Sequence, residues 1–190
     1  RRSWRQRSFG AVTTEWDPGP RPEWVRAVND GLVLPIAAEA ALPLDRDGLV
    51  AEALARQGRA GEGIAALCAP GPGTGDDFVE PLDLVCRSLE TEADLHLLGR
   101  WITRRFLLRL LEVRLQLCDA VRADPGVRDE RIVEPVFVVG APRTGTTILH
   151  ALLSADHRHR VPLGWELLRP VPSPTAATHD TDARIDLADA

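Results

Sequence analysis

Apolar residues recur every three or four positions through the middle of the chain. The recurring residues are Leu98, Ile102, Phe106, Leu110, Val113, Leu117 and Val121. This spacing places them on one face of an α-helix. The pattern predicts a long helix over residues 92–122, capped by Thr91 and Asp94 and ended by the breaker Asp124-Pro125-Gly126. Five arginines lie within it, and we expect a solvated face with one or two arginines at the edge of the core: Arg100, Arg104, Arg105, Arg109 and Arg114.

The part of the chain before this helix is broken by prolines and closes in the Pro/Gly loop "APGPGTGDD". Within it, "LDRDGLVAEALARQG" predicts a short helix that buries Leu49, Ala53 and Leu54 and ends at Gly58. The sequence therefore predicts a mainly helical N-terminal region over residues 1–131. We expect the basic opening "RRSWRQR" to be a frayed, solvated terminus rather than an arm that binds nucleic acid.

The pattern changes at residue 135. Glu134-Pro135 disfavours helix, and residues 136–139 are apolar on both faces, which is typical of a buried parallel strand. After Gly140, the stretch "TTILHALLSAD" predicts a helix from about Thr146, with an apolar face formed by Ile148, Leu149, Leu152 and Leu153. Residues 132–190 are therefore predicted to begin an α/β domain.

Composition limits the classes of partner. The formal net charge of −5 disfavours general nucleic-acid binding, which usually shows a basic surplus. No window approaches the roughly 18 consecutive apolar residues of a membrane span, and no apolar segment of a signal peptide follows the basic start. The three widely spaced cysteines favour reduced thiols in the cytoplasm and provide no metal site. The lack of methionine and the uncapped end indicate a fragment, and the oligomeric state is not determined.

The strand, glycine-bounded turn and helix together predict an anion site. Backbone N–H groups and the positive end of a helix converge on one anion in this arrangement. Gly140 and Gly145 allow a tight turn, Thr146 and Thr147 add hydroxyl donors, and Arg143 adds a cation with a planar set of donors. We expect a phosphate or sulfate here. The alternative is a tight turn without a ligand, in which this arginine and these threonines would have little packing role.

The loop differs at one residue from the sequence motif that binds nucleoside triphosphates. Residues 140–147 match G-x-x-x-x-G-K-S/T except that Thr146 stands in the place of the lysine. That lysine contacts the β- and γ-phosphates, so its absence disfavours chemistry on a triphosphate with Mg²⁺. A small-molecule or nucleotide kinase remains one alternative. A non-catalytic module, with residues 78–122 as a helical interaction surface, is another.

The loop resembles the 5′-phosphosulfate loop of sulfotransferases that use 3′-phosphoadenosine 5′-phosphosulfate (PAPS). That loop follows a strand and reads Lys/Arg-Ser/Thr-Gly-Ser/Thr-Ser/Thr; here it is Arg143-Thr144-Gly145-Thr146-Thr147. The stretches "VFVVGAPRTGTTILHALLSAD" and "VPLGWELLRPVPSP" resemble bacterial sulfotransferase-family proteins. The resemblance implies a truncated P-loop-like three-layer α/β fold, with PAPS as co-substrate and no metal. It implies that the cofactor is held by Ala141, Pro142, Arg143, Thr144, Gly145, Thr146 and Thr147.

The resemblance also implies in-line transfer of a sulfuryl group to a hydroxyl or amine of a small-molecule acceptor. Arg143 would stabilise the charge that grows on the leaving phosphate oxygen. The acceptor must lose a proton to a general base, for which Glu166 is preferred over His150, His157 and His159. The alternative for Glu166 is a structural salt bridge or cap. The family's anchor for the 3′-phosphate is expected beyond Ala190, so residues 1–190 alone are expected to be inactive.

Overall fold

The computed structural model describes residues 19–71, 73–141 and 143–188. The eight α-helices of these residues are α1 (Glu23–Asn29), α2 (Leu34–Ala41), α3 (Arg46–Arg56), α4 (Val79–Thr91), α5 (Leu97–Ala123), α6 (Thr146–Ser154), α7 (Gly164–Leu168) and α8 (Arg184–Ala188). Single 3₁₀ turns span Ile64–Leu67, Pro125–Asp129 and His179–Thr181. The predictions for the basic opening and for Pro142 lie outside the described residues.

The short helix predicted in the N-terminal region is confirmed as α3. Its N-cap is Asp45, whose side chain accepts a hydrogen bond of 2.8 Å from the Gly48 N–H. The helix buries the predicted Leu49, Ala53 and Leu54, together with Val50. Because apolar residues three and four apart share one side of a helix, the whole stripe packs into the core.

The core lies between α3, α4 and α5. Its largest contributor is α5, which presents Leu107, Leu108, Leu111 and Leu115 to the stripe of α3. The thiol of Cys118 lies one turn further along and donates to the Leu67 carbonyl at 3.1 Å. α1 and α2 also pack on α5, so this helix organises the described part of the helical region.

The long helix is confirmed, but its predicted start is wrong. Thr91 ends α4 by donating to the Arg87 carbonyl at 2.8 Å, and Asp94 lies in the turn before α5 with φ of +43°. The apolar residues of the predicted face are not in the core: Ile102, Phe106, Leu110 and Leu117 are 37–53% exposed. The face through Leu108 and Leu115 is buried instead. Both faces carry apolar residues at helical spacing, so the period identifies the helix and only packing selects its buried side.

Arginines of α5 hold this packing together. Arg104 is 4% exposed, donates to the Pro43 carbonyl at 2.8 Å and pairs with Glu52 of α3. Arg114 donates to the Leu67 carbonyl at 2.9 Å, and its guanidinium lies 3.8 Å from the centroid of the Phe78 ring. Arg100 pairs with Glu90 at 2.7 Å. The sequence predicted one or two arginines at the edge of the core, but Arg100, Arg104 and Arg114 all have structural roles. Their N–H groups donate to carbonyls of loops and helix ends that would otherwise lack partners.

The predicted parallel strand is not formed: residues 135–139 are neither strand nor helix, and no strand occurs among the described residues. Phe137 and Val139 are 80% and 89% exposed. A strand requires a neighbour with which to exchange backbone hydrogen bonds, and no described segment pairs with this one. The three-layer α/β fold is therefore not seen in this structure. The helix predicted from about Thr146 is confirmed as α6, but its apolar face is also exposed.

Candidate functional site

The loop before α6 uses two residues with positive φ. Gly145 is the N-cap of α6 with φ of +92°, a conformation that glycine adopts without a steric penalty. Arg143 has φ of +67°, which is uncommon for a residue with a Cβ atom. Backbone conformations of this kind concentrate at ligand-binding turns, where they cost of order 1–3 kcal/mol. The loop thus holds its arginine in a costly conformation.

Close contacts across the turn explain Gly140. The Thr144 hydroxyl donates to the Ala141 carbonyl at 2.7 Å and closes the turn on itself. A Cβ atom at position 140 would lie 2.8 Å from both the Thr144 Oγ1 and the Thr146 Cγ2. A larger residue would therefore force both threonine side chains to move.

The donors of this loop are available to a ligand. The N-cap of α6 provides no side-chain hydrogen bond, so N–H groups of its first turn lack a cap. Arg143 and Thr147 are exposed, and within the described part of the chain neither side chain forms a hydrogen bond or ion pair. A cation, hydroxyls and the positive end of a nine-residue helix therefore share one short segment. This donor set suits the tetrahedral oxygens of a phosphate or sulfate.

Glu166 occupies a structural position. It is 8% exposed and lies in the first turn of α7, where its carboxylate accepts from the Leu163 N–H at 2.6 Å. Arg160 pairs with the same carboxylate at 2.6 Å. The hydrogen bonds from Arg160 and from the Leu163 N–H lower the pKa of Glu166, although burial opposes them. The salt bridge and cap weighed against catalysis are both present, and a role as general base stays a prediction.

Two partners of Glu166 were not identified from the sequence. His179 lies with Nε2 3.7 Å from the Glu166 carboxylate, and its ring centroid is 5.6 Å from that of Trp165. Arg160 belongs to the stretch "HRHR" over residues 157–160, whose composition is typical of a solvated loop. The only short-range signal was the spacing of three residues between the helix start at Leu163 and Glu166, which is typical of a helix cap. Nothing local to His179 predicts that it packs on Trp165, fourteen residues earlier in the chain.

The three histidines considered as alternative bases are exposed. His150 lies on α6 with its side chain exposed. His157 and His159 lie in the loop after α6, where the His159 ring Nδ1 is 3.1 Å from the Leu153 carbonyl. None of them approaches Glu166 or Arg143 by a hydrogen bond or ion pair in the described residues.

The described residues contain neither a candidate metal site nor a candidate membrane span. No group of three or more His, Cys, Asp or Glu side chains there is placed to hold a metal ion. Among those residues, no helix combines the length and the apolar character that crossing a bilayer requires.

The segment that contains this loop is similar to known sulfotransferases. A family model described as "Sulfotransferase family" matches residues 135–190. The matching relatives include omega-hydroxy-beta-dihydromenaquinone-9 sulfotransferase Stf3 of Mycobacterium bovis and of Mycobacterium tuberculosis. Each is 46% identical over 55 residues, which is 29% of this chain and 12% of the relative.

A solved structure extends the similarity to the helical region. The crystal structure of sulfotransferase STF1 from Mycobacterium tuberculosis H37Rv superposes with a TM-score of 0.61 at 32% sequence identity. The match covers 75% of this chain and 36% of that chain. The similarity therefore includes helices upstream of the loop, and this chain spans well under half the length of the relatives it matches.

Proposed function

Because the chain belongs to the sulfotransferase family, we propose that the whole protein transfers a sulfuryl group from PAPS to a small-molecule acceptor. One observation carries the proposal. Within the matched segment, the loop over residues 140–147 combines an exposed arginine, which has no partner among the described residues, with the uncapped start of a helix. Transfer from PAPS requires a loop that binds the anionic phosphosulfate, and this loop has the donors for it.

The donors present fit PAPS better than a nucleoside triphosphate. The loop offers hydroxyls, uncapped N–H groups and one guanidinium, and it carries Thr146 where a triphosphate loop carries lysine. PAPS, when bound, supplies the sulfuryl group. We assign the 5′-phosphosulfate to residues 141–147, with Arg143 as the cation beside the leaving oxygen. Arg143 would stabilise charge that develops there, an electrostatic role that needs no proton transfer.

The proposed acceptor is an apolar molecule with a hydroxyl group. The curated relatives are named for a hydroxylated dihydromenaquinone, and their similarity to this chain lies in the 55 residues that include the loop region. A general base would remove the hydroxyl proton. Glu166 remains our candidate because its carboxylate is ionised at neutral pH. The hydrogen bonds that lower its pKa also make it a weaker base, so Arg160 would have to move for the carboxylate to accept that proton.

We also place the protein in the cytoplasm. Cys68, Cys86 and Cys118 are free thiols, and two of them are buried. Burial raises the pKa of Cys86 and of Cys118, which makes both thiols less reactive. Unpaired cysteines are typical of a reducing compartment, where PAPS-dependent transfer would find its co-substrate.

Calorimetry tests the proposal directly. We expect the whole protein to bind adenosine 3′,5′-bisphosphate without Mg²⁺ and to show no Mg²⁺-dependent binding of ATP. A kinase would show the opposite preference, and a non-catalytic helical module would bind neither nucleotide. Either of these outcomes contradicts the proposal.

A second prediction concerns the carboxylate of α7. In Arg160→Ala the Glu166 carboxylate loses a charged partner, so we expect protection of the Leu163 N–H from hydrogen exchange to fall about fivefold to tenfold at pH 7. The folded pKa of Glu166 is lowered, so its stabilising contribution is present above its ordinary value of about 4.3 and is lost as the pH falls through the folded value. The difference between wild type and variant should therefore shrink near pH 3.

The neighbouring Arg158 is the matched control. It pairs with Asp156 at 2.6 Å and makes no contact with Glu166. Arg158→Ala should leave protection of the Leu163 N–H unchanged. Equal loss in both variants would mean that the loop as a whole, rather than the Arg160 pair, stabilises the start of α7.

A further inference from the structure

A groove on the outward face of α5 contains an unusual concentration of arginine. Its cavity has a volume of about 380 Å³, within the range of about 300–1,000 Å³ that is usual for small-molecule sites. Arg105 and Arg109 come from α5, Arg56 from the end of α3, and Arg169 from the residue after α7. None of the described residues of the loop over 140–147 lines it, so it is separate from the site described above.

The arginines outnumber the carboxylates that face them. Among the lining side chains that belong to described residues only Glu112 is acidic, against four arginines. Arg56 pairs with Glu52 at 2.6 Å and approaches Glu112 at 3.8 Å, and Arg105 lies 3.8 Å from Glu39. Arg56 and Arg105 thus approach all three of these carboxylates, and Glu52 is also paired with Arg104.

Two of the four guanidinium groups have no acidic partner among the residues that the structure describes. Across the described ranges, neither Arg109 nor Arg169 lies within ion-pair distance of a carboxylate. The Arg109 guanidinium instead lies 5.5 Å from the centroid of the Phe106 ring. Guanidinium groups left without carboxylates are available to an external anion, and their planar donor sets suit sulfate and phosphate oxygens.

The same groove has an apolar wall. Ile102 and Phe106 line it and are about half exposed. Leu110 lies one turn further along α5 on the same side and is also about half exposed. An apolar stripe therefore runs away from the arginines along the helix, and covering it would remove apolar surface from water.

We propose that this groove binds an amphiphilic anion, namely a sulfate or phosphate monoester of an apolar alcohol. Arg109 and Arg169 hold the charged head group, and Phe106 and Ile102 contact the hydrocarbon chain. Both halves of such a ligand find a matching surface within one cavity. A simple inorganic anion would leave the apolar wall uncovered, and a neutral alcohol would leave the cations without a partner.

Binding of octyl sulfate, kept well below its micelle concentration, tests the proposal by calorimetry. We expect saturable binding at one site, weakened about tenfold by Arg109→Ala or Arg169→Ala and severalfold by Phe106→Ala. Arg87→Ala is the matched control, because Arg87 is an exposed arginine on α4 that pairs with Asp83; it should leave the affinity unchanged. Octyl phosphate in a parallel titration distinguishes a sulfate ester from a phosphate ester.

Other probes can overturn the proposal. Inorganic sulfate that binds as tightly as octyl sulfate would show a plain anion site, and equal binding of octyltrimethylammonium would show an apolar surface without charge selection. Binding of octyl sulfate that is unchanged in the Arg109→Ala, Arg169→Ala double variant would place the ligand elsewhere. Arg109-dependent binding to phosphatidylglycerol vesicles without binding of monomeric octyl sulfate would identify a membrane surface instead. No PAPS is present in these titrations, so their failure leaves the proposed transfer reaction untouched.

Discussion

Arg104→Ala is expected to lower the free energy of unfolding by about 3 kcal/mol, at the lower end of the range for breaking a buried ion pair. Arg104 is almost fully buried, and its guanidinium joins the Pro43 carbonyl to Glu52. Its removal leaves that carbonyl without its donor and the carboxylate with one fewer cation. Arg56, which also pairs with Glu52, keeps the cost from being larger.

Urea unfolding followed by circular dichroism measures this loss. Arg87→Ala, which removes an exposed arginine of α4, should change stability by less than about 0.5 kcal/mol. Arg104→Met keeps the apolar stem and should recover part of the loss, since apolar replacements of buried ionic groups are often tolerated. A loss below about 0.5 kcal/mol in Arg104→Ala would show that the buried pair does not stabilise the helical core.

The same pair predicts a pH dependence. Burial acts to raise the pKa of Glu52, but hydrogen bonds from Arg104 and Arg56 outweigh it, and the net pKa is lowered. The ionised carboxylate therefore stabilises the fold above its ordinary pKa of about 4.3, and this contribution is lost as the pH falls through the folded value. The difference between wild type and Arg104→Ala should narrow near pH 3.

Local sequence signals predicted several helices of this chain. Asp45 and the stripe of α3 are contained in one short segment, so the helix can be identified without knowledge of its neighbours. For α5 the period was sufficient to identify a helix but not its buried side. Arg104 and Leu108 are buried while Phe106 is exposed, because α2 and α3 pack on one particular side. Which side of α5 is buried therefore depends on residues more than about 50 positions earlier in the chain.

The strand prediction failed for a different reason. Residues 136–139 have the composition of a buried strand, but their backbone groups find no partner segment in the described part of the chain. The composition of a segment indicates that it is suited to a sheet. It does not indicate whether neighbouring strands are present to pair with it.

The candidate site also contains some features that could be predicted from the sequence and others that could not. Gly140, Arg143 and Gly145 lie within six residues of one another, so their joint role in a turn could be predicted from spacing. The partners of Glu166 could not, because His179 reaches it only through the packing of Trp165. The arginine groove was also missed, since it requires Arg169 to approach α5 across some sixty residues of chain.

Arg143→Ala in the whole protein is expected to reduce PAPS-dependent sulfuryl transfer, or affinity for adenosine 3′,5′-bisphosphate, by about tenfold to a hundredfold. A charge-assisted hydrogen bond contributes about 1.5–3 kcal/mol, which corresponds to a change of this size. Arg143 is exposed and makes no ion pair within the described residues, so the variant should lose ligand contacts without loss of folding. Transfer to a generic phenolic acceptor measures the rate, and circular dichroism checks the fold.

Companion variants separate charge from backbone strain. Arg143 has a positive φ, which glycine adopts more readily than alanine. Arg143→Gly should therefore lose as much activity as Arg143→Ala if the guanidinium matters, and less if only the turn conformation matters. Arg143→Lys should recover much of the rate, because one cation beside the leaving oxygen is retained. Arg158→Ala, an exposed arginine paired only with Asp156, should keep the full rate.

Thr146→Lys rebuilds the triphosphate-binding pattern and tests the remaining alternative. We expect no ATP hydrolysis from this variant, because triphosphate chemistry also requires a Mg²⁺ ion held by a carboxylate at the loop. No acidic side chain is bonded to the loop within the described ranges. ATP turnover by Thr146→Lys would favour a kinase ancestry for the site. Unchanged transfer and unchanged nucleotide affinity in Arg143→Ala would instead make the loop a structural turn, and the sulfotransferase proposal would lose the one chemical residue on which it depends.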